Sequence, residues 1–192
     1  MIRSLEQQFG QKHAAEIRKL ADRARRLTVP QGSSRYFAVE LAGCLEAGLL
    51  LAAGHVAASL LELAVRGIVL EHTSSALGRS NASGTGMEPL ERRLEEMRNL
   101  GFAQLVDQLR EAGLFNPDDA ELAKLSYQEV RIPIFHGLVG RYIEIHNPGL
   151  AAITQFLRAG PATDMSAFEE VVEPQALEYV GLVIGILERN ST

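Results

Sequence analysis

Arg131 and His136 are the two side chains whose types and spacing point most directly to chemistry. They lie in the run VRIPIFHGLVGR, residues 130–141, with Pro133 between them and Gly137 directly after the histidine. An imidazole with a reference pKa of about 6.5 can take or give a proton near neutral pH, the work of a general base or acid. A guanidinium holds an anion through charge-assisted hydrogen bonds. On an ideal helix, residues five apart diverge by about 140° at 100° per residue. Pro133 relaxes that constraint. It has no N–H for the carbonyl of Glu129, its ring crowds that carbonyl, and it pushes Ile132 toward extended geometry. The resulting break could let Arg131 and His136 reach one site, and Gly137 leaves room beside the imidazole for a substrate or a second chain. Glu129 and Arg141 flank the motif; they are either solvated or available to orient His136 and bind phosphate.

Helices must position these residues. Ile2, Leu5, Phe9, Ile17, Leu20, Ala24 and Leu27 recur at three- and four-residue steps, which predicts an amphipathic helix over residues 1–30. Ser4 is a candidate cap, and the stop falls at TVPQGSS. A second helical region spans 36–72, with a bend near Gly43, Gly48 or Gly54. Residues 73–86, TSSALGRSNASGTG, have the composition of a flexible loop and lack the Gly-Lys-Ser/Thr ending of a phosphate-binding loop. Helices at 88–99 and 102–112 follow, the latter closed by Gly113. Asn116 caps the next, with Pro117 at its first position and Asp118 and Asp119 at the positive end of its dipole. That helix carries Leu122, Leu125 and Val130 into the motif. Helices at 148–158 and 174–189 finish the chain, the last with Leu177, Val180, Ile184 and Leu187 at helical spacing. The expected fold is an all-α, single-domain bundle: an N-terminal helix with a basic stretch, then a helical domain over 35–190. At 192 residues and 46% hydrophobic, with 6% aromatics and no Trp, composition agrees.

Arg131-Ile-Pro-Ile-Phe-His136 resembles the Arg-x4-His signature of HEPN domains, helical domains named for higher eukaryotes and prokaryotes nucleotide-binding. The likeness extends upstream. AGLLLAAGHVAASLLELAVRGIVLE looks like the family's first core helix, whose Leu-Glu pair is here Leu61 and Glu62. The run MEPLERRLEEMRNLGFAQLVDQLREAGLFNPDD is similar to the paired helices before the motif, so the resemblance covers most of 36–187. It implies a metal-independent endoribonuclease of a toxin–antitoxin or defence system, often a homodimer whose site forms where two motifs meet. In that setting His136 would exchange a proton with a ribose 2′-hydroxyl or the leaving oxygen, and Arg131 would hold the scissile phosphate. Glu62 could face the motif and hold Arg131, or form a helix ion pair with Arg66 four residues on. Active members commonly carry Asn after the arginine, where this chain has Ile132. A non-catalytic, dimerising or partner-binding HEPN module without nuclease activity is therefore the rival reading, and a helical pocket for a nucleotide is a third.

The net charge of −5 gives no global attraction for phosphates. Arg18, Lys19, Arg23, Arg25 and Arg26 form the strongly basic stretch, either a solvated helix face or a surface for RNA or an acidic partner such as an antitoxin. The apolar run AGLLLAAGHVAASLL is shorter than the ~20 residues that cross a bilayer, so a buried core helix and no membrane are expected. His55 within it reads as a core histidine. Cys44, the single cysteine, cannot form an internal disulfide and reads as a small hydrophobe. MIRSLEQQFG lacks the apolar core of a secretory signal, so the cytoplasm is expected. Glu144 and His146 match no zinc spacing, and no metal or cofactor is expected. No Gly-x-Ser-x-Gly elbow is present.

Overall fold

The computed structural model describes residues 4–29, 32–80, 92, 95–96, 99–128 and 165–190, and the protein is all-α with no strand among them. Six helices are bounded among the described residues: α1 Leu5–Arg26, α2 Gly32–Glu46, α3 Leu50–Ser80, α4 Phe102–Glu111, α5 Pro117–Ser126 and α6 Met165–Asn190. α3 lies at the centre, packed against α2, α4 and α6, while α1 covers α2 and α6, and α5 bridges α4 and α6. The expected helices at 88–99 and 148–158 lie largely or wholly outside the described residues.

Local chemistry explains where the helices begin and end. Ser4 caps α1 reciprocally: its backbone N–H donates to Gln7 Oε1 at 2.9 Å, and Gln7 N–H donates to Ser4 Oγ at 3.3 Å. Asn116 Oδ1 accepts from Asp118 N–H at 2.9 Å ahead of Pro117, as the sequence predicts. α4 ends at Gly113 (φ 69°), with Leu114 N–H reaching the Leu109 carbonyl at 2.9 Å and Gly113 N–H the Arg110 carbonyl at 3.0 Å. That is a Schellman closure, in which a left-handed glycine lets two orphan carbonyls find donors. The same closure ends α2 at Gly48 (φ 70°), through Leu49 to Cys44 and Gly48 to Leu45. Of the three glycines named for a bend, Gly48 is the one that breaks the helix.

Four elements differ from the sequence expectation. α1 is interrupted at Gly10 (φ 75°, ψ 166°), a conformation open to glycine, so Phe9 turns over the α2–α3 junction beside Gly48. α3 continues to Ser80, so residues 73–80, expected in the loop, are helical; 81–86 lie outside the described residues. α6 begins at Met165, ahead of Pro174. α5 turns Leu122 and Leu125 outward, 39% and 51% exposed, and buries Asp119, Ala120, Ala123 and Ser126 instead. Small residues on the buried face suit a helix bridging two others at close range.

The core draws on every helix: Ile17 of α1, Leu41 and Leu45 of α2, Leu60, Leu61 and Val65 of α3, Leu105 and Leu109 of α4, Ala120 and Ala123 of α5, and Ile184, Ile186 and Leu187 of α6. Fully burying each large aliphatic chain contributes ~1.5–3 kcal/mol. At the end of α5 the Tyr127 ring stacks on buried Phe102, with centroids 4.4 Å apart and planes 8° from parallel. This contact fixes the chain three residues before the motif segment starts at Val130. α3 is long and apolar enough over Leu50–Ser75 to cross a membrane by length and composition, because the helix runs on well past the apolar stretch that ends at Leu61; 56% of its apolar 18-residue window is buried inside the protein.

The last turn of α6 fastens the bundle. Asp119, 2% exposed, accepts Arg189 Nε at 3.0 and 3.1 Å and Asn190 Nδ2 at 2.8 Å. Asn190 Oδ1 in turn accepts the Asn116 N–H at 2.8 Å, so the start of α5 is held by two neighbouring residues. Gly185 supplies the space over which Arg189 folds, since a Cβ there would meet the guanidinium at 3.1 Å.

Burial alone would push the Asp119 carboxyl up; hydrogen bonds from Arg189 and Asn190, with the Arg189 charge, outweigh it and hold the group below its ordinary 3.8. A carboxyl whose pKa is depressed by folding stabilises above its unfolded value and loses that contribution as pH falls through the folded one. Asp119→Ala should cost about 2 kcal/mol at pH 7, moderated because the Arg189 side chain is 54% exposed and can hydrate. In urea melts the gap between wild type and variant should shrink as pH drops below about 3.8. Gly48→Ala should cost about 1–2 kcal/mol in the same melts, because alanine strains at positive φ and its Cβ would press on Gln8 and Phe9.

Candidate functional site

Two candidate sites follow from the sequence, and the described residues bear on them unequally. Arg131, His136, Gly137, Glu129 and Arg141 lie outside the described residues. Glu62, which the resemblance sets against the motif, lies on α3 between fully buried Leu61 and half-buried Leu63 positions of the helix surface. Its Oε1 accepts Arg66 Nη2 at 3.2 Å and Nε at 3.4 Å, the ion pair that their four-residue spacing predicts. The Glu62 and Arg66 side chains are 24% and 36% exposed, at the rim of the core. Tyr127, stacked on Phe102, is the nearest described ring upstream of the motif.

The basic stretch on α1 is fully described, and most of it is engaged. Arg18 pairs with Glu6 across the break at Gly10. Arg23 grips Glu188 of α6 in a fork, Nε to Oε1 at 3.0 Å and Nη2 to Oε2 at 2.7 Å. Arg25 pairs with Glu46 at the end of α2 and stands 3.7 Å from Asp22. Arg26 Nε donates to the backbone carbonyl of Asp22 at 3.2 Å, and Lys19 has no carboxylate partner among the described residues. The stretch thus divides: Arg18, Arg23 and Arg25 join α1 to itself, to α6 and to α2, while Lys19 and Arg26 keep their charge for the surface.

Around them lies an open cleft of about 550 Å³, lined by Ala15, Arg18, Lys19, Asp22, Arg23, Arg26 and Glu188. Hydrogen bonds from Arg23 pull the Glu188 carboxyl below the usual carboxylate range against the effect of burial, and the charges of Arg23, Arg189 and Arg26 add to this. The Arg23 guanidinium is raised in turn, first by its hydrogen bond to Glu188. Both groups stay ionised at physiological pH. Asp22 lies within the basic stretch in sequence, whereas nothing in the sequence marks Glu188 as a member of this site. Arg23 and Glu188 are 165 positions apart, and no local spacing signals such a pair.

The remaining sequence candidates settle simply. His55 sits on the exposed side of α3, not in the core, because helical phase puts Ala53, Ala57 and Ala58 inward and turns position 55 out. Cys44 is half-buried, and burial followed by the Glu40 charge pushes its thiol up. Tyr36 and Val39 are exposed along the outer face of α2, at 63% and 51%. Among the described residues no group of three or more His, Cys, Asp or Glu could hold a metal ion. Comparison with protein-family models, curated proteins and solved structures finds no match to this chain.

A raised pKa leaves less thiolate at neutral pH, and the thiolate is the reactive form. Cys44 should therefore react with a disulfide reagent more slowly than free glutathione at pH 7, and its rate should rise through a midpoint above the ordinary 9.0.

Proposed function

We propose that the protein is a HEPN-like, metal-independent endoribonuclease of a toxin–antitoxin or defence system, acting in the cytoplasm as a homodimer. The observation that carries this reading is the Arg131-x4-His136 motif, broken by Pro133 and placed downstream of a core helix bearing Leu61 and Glu62. Two features are in keeping with it: the all-α architecture built around α3, and the position of Glu62 at the rim of the core. In this reading His136 takes the proton of a ribose 2′-hydroxyl. The oxygen then attacks the adjacent phosphorus to form a 2′,3′-cyclic phosphate as the P–O5′ bond breaks; the departing 5′-oxygen takes a proton from an imidazolium, and Arg131 stabilises the charge that develops on the phosphoryl oxygens. The second motif of the dimer supplies the facing cation and imidazole, and an antitoxin would act by covering the shared site.

Ile132 favours a second reading. It stands where active members carry a polar residue, and an aliphatic chain there offers no hydrogen bond to orient the imidazole. The fold would then serve as a dimerising or partner-binding module without nuclease activity.

Under the enzyme reading, His136→Ala should lower RNA cleavage by at least ~10²-fold while leaving the thermal midpoint within a degree or two of wild type. A chelator should leave wild-type cleavage unchanged. Gel assays on mixed RNAs, with the dimer confirmed by light scattering, check this; a folded dimer that leaves every RNA intact favours the module.

A further inference from the structure

We propose that the cleft between α1 and the end of α6 binds a nucleic-acid phosphodiester backbone, with Lys19 and Arg26 as its available cations and Glu188 as a resident carboxylate that competes for Arg23. The inference goes beyond the reading of Arg131 and His136 and stands independently of it, since it uses neither residue.

Charge is the first argument. The chain carries a net −5, yet this cleft is lined by four cationic side chains against two carboxylates. With Arg18 paired to Glu6 and Arg23 to Glu188, Lys19 and Arg26 stand against Asp22 and leave a local excess of positive charge on an acidic protein, and clefts lined by one sign of charge focus the field on anions. Arrangement is the second. Lys19, Arg23 and Arg26 are spaced four and three residues apart on α1, so they form one row on its surface, about 10 Å long. A single small anion meets one end of such a row, whereas a repeating phosphodiester meets its whole length. Lining is the third. Among the described lining residues Ala15 is the one apolar residue, and none is aromatic. Protein partners usually seat an aromatic or aliphatic anchor in such a depression, and bases stack on rings. A wall of cations with neither suits backbone contact without base readout, the kind that positions a strand and carries no sequence information.

Glu188 gives the site its particular behaviour. It holds the central cation of the row in a two-point fork, so an incoming phosphate competes with a built-in carboxylate for Arg23. Lys19 and Arg26 on either side form no ion pair with a carboxylate among the described residues and make the first contact. Removing the Glu188 charge should therefore tighten binding, the reverse of what its loss would do at a purely structural pair.

The test is fluorescence anisotropy of the full-length protein with labelled oligouridylate and oligothymidylate across a salt series, and polyglutamate as competitor. Oligothymidylate lacks the 2′-hydroxyl needed for cleavage, so binding is read whether or not the protein cuts RNA. Both oligonucleotides should bind with similar affinity. The double variant Lys19→Gln/Arg26→Gln should weaken both by about ten-fold at low salt and reduce the slope of log K against log salt by about 1.4, the value for two lost contacts on a single strand. Glu188→Gln should tighten both several-fold. Asp22→Asn, which leaves the link between α1 and α6 intact, should act in the same direction. Wild-type affinity in the double variant overturns the proposal. So does failure of both Glu188→Gln and Asp22→Asn to tighten binding, or polyglutamate displacing the oligonucleotides at equal charge concentration, which would assign the cleft to an acidic protein.

Discussion

Three consecutive residues at the end of α6 hold the bundle in register. Glu188 binds Arg23 of α1, Arg189 binds buried Asp119 of α5, and Asn190 binds both Asp119 and the backbone that caps α5. Successive residues on a helix point 100° apart, so one turn can address elements on different sides. Apolar burial around α3 drives collapse, but it is non-directional. The polar clamp adds direction: a shift of α6 by one residue would leave the Asp119 carboxylate buried without its donors, which is costly in a low-dielectric interior. α4 and α5 are joined by contacts of their own: Lys124 to Asp107 at 2.9 Å, Arg110 to Glu121 at 3.0 Å, and the stacked Phe102 and Tyr127.

The same clamp ties architecture to electrostatics. α1 carries most of the strongly basic sequence, and packing consumes part of it in order to hold the helix in place. Arg18, Arg23 and Arg25 each find a carboxylate on their own or another element, whereas Lys19 and Arg26 face the cleft. Exposed pairs of this kind contribute ~0–1 kcal/mol each. Their greater effect is to fix which cations remain available to a ligand.

Much of the helical plan was legible because it rests on local chemistry. The Ser4 and Asn116 caps, the Gly113 closure, the stripe of α1 and the Glu62–Arg66 pair all depend on residues within a few positions of each other, and the sequence displays them. What escaped was tertiary. The outward turn of Leu122 and Leu125 depends on how closely α4 and α6 approach α5, which hydrophobic spacing along one helix does not encode. His55 followed the same logic in reverse, a polar residue in an apolar run that turned out to lie on the open side. The continuation of α3 through Ser80 overrode a small, polar composition that on its own reads as loop. Of the candidate sites, the basic stretch was visible as charge, while its division into structural and available cations required Glu6, Glu46 and Glu188 to be located in space.

The functional account rests on a chemical step: attack by the neighbouring ribose hydroxyl, helped by His136 and Arg131, without a metal-activated water. The ends of the RNA fragments report that step directly. Fragments produced by the wild-type protein in chelator, and analysed by mass spectrometry, should carry 2′,3′-cyclic phosphate and 5′-hydroxyl ends. Ends bearing 3′-hydroxyl and 5′-phosphate would contradict the account, because they require attack by water from outside the ribose, and wholly intact RNA would contradict it in favour of the non-catalytic module.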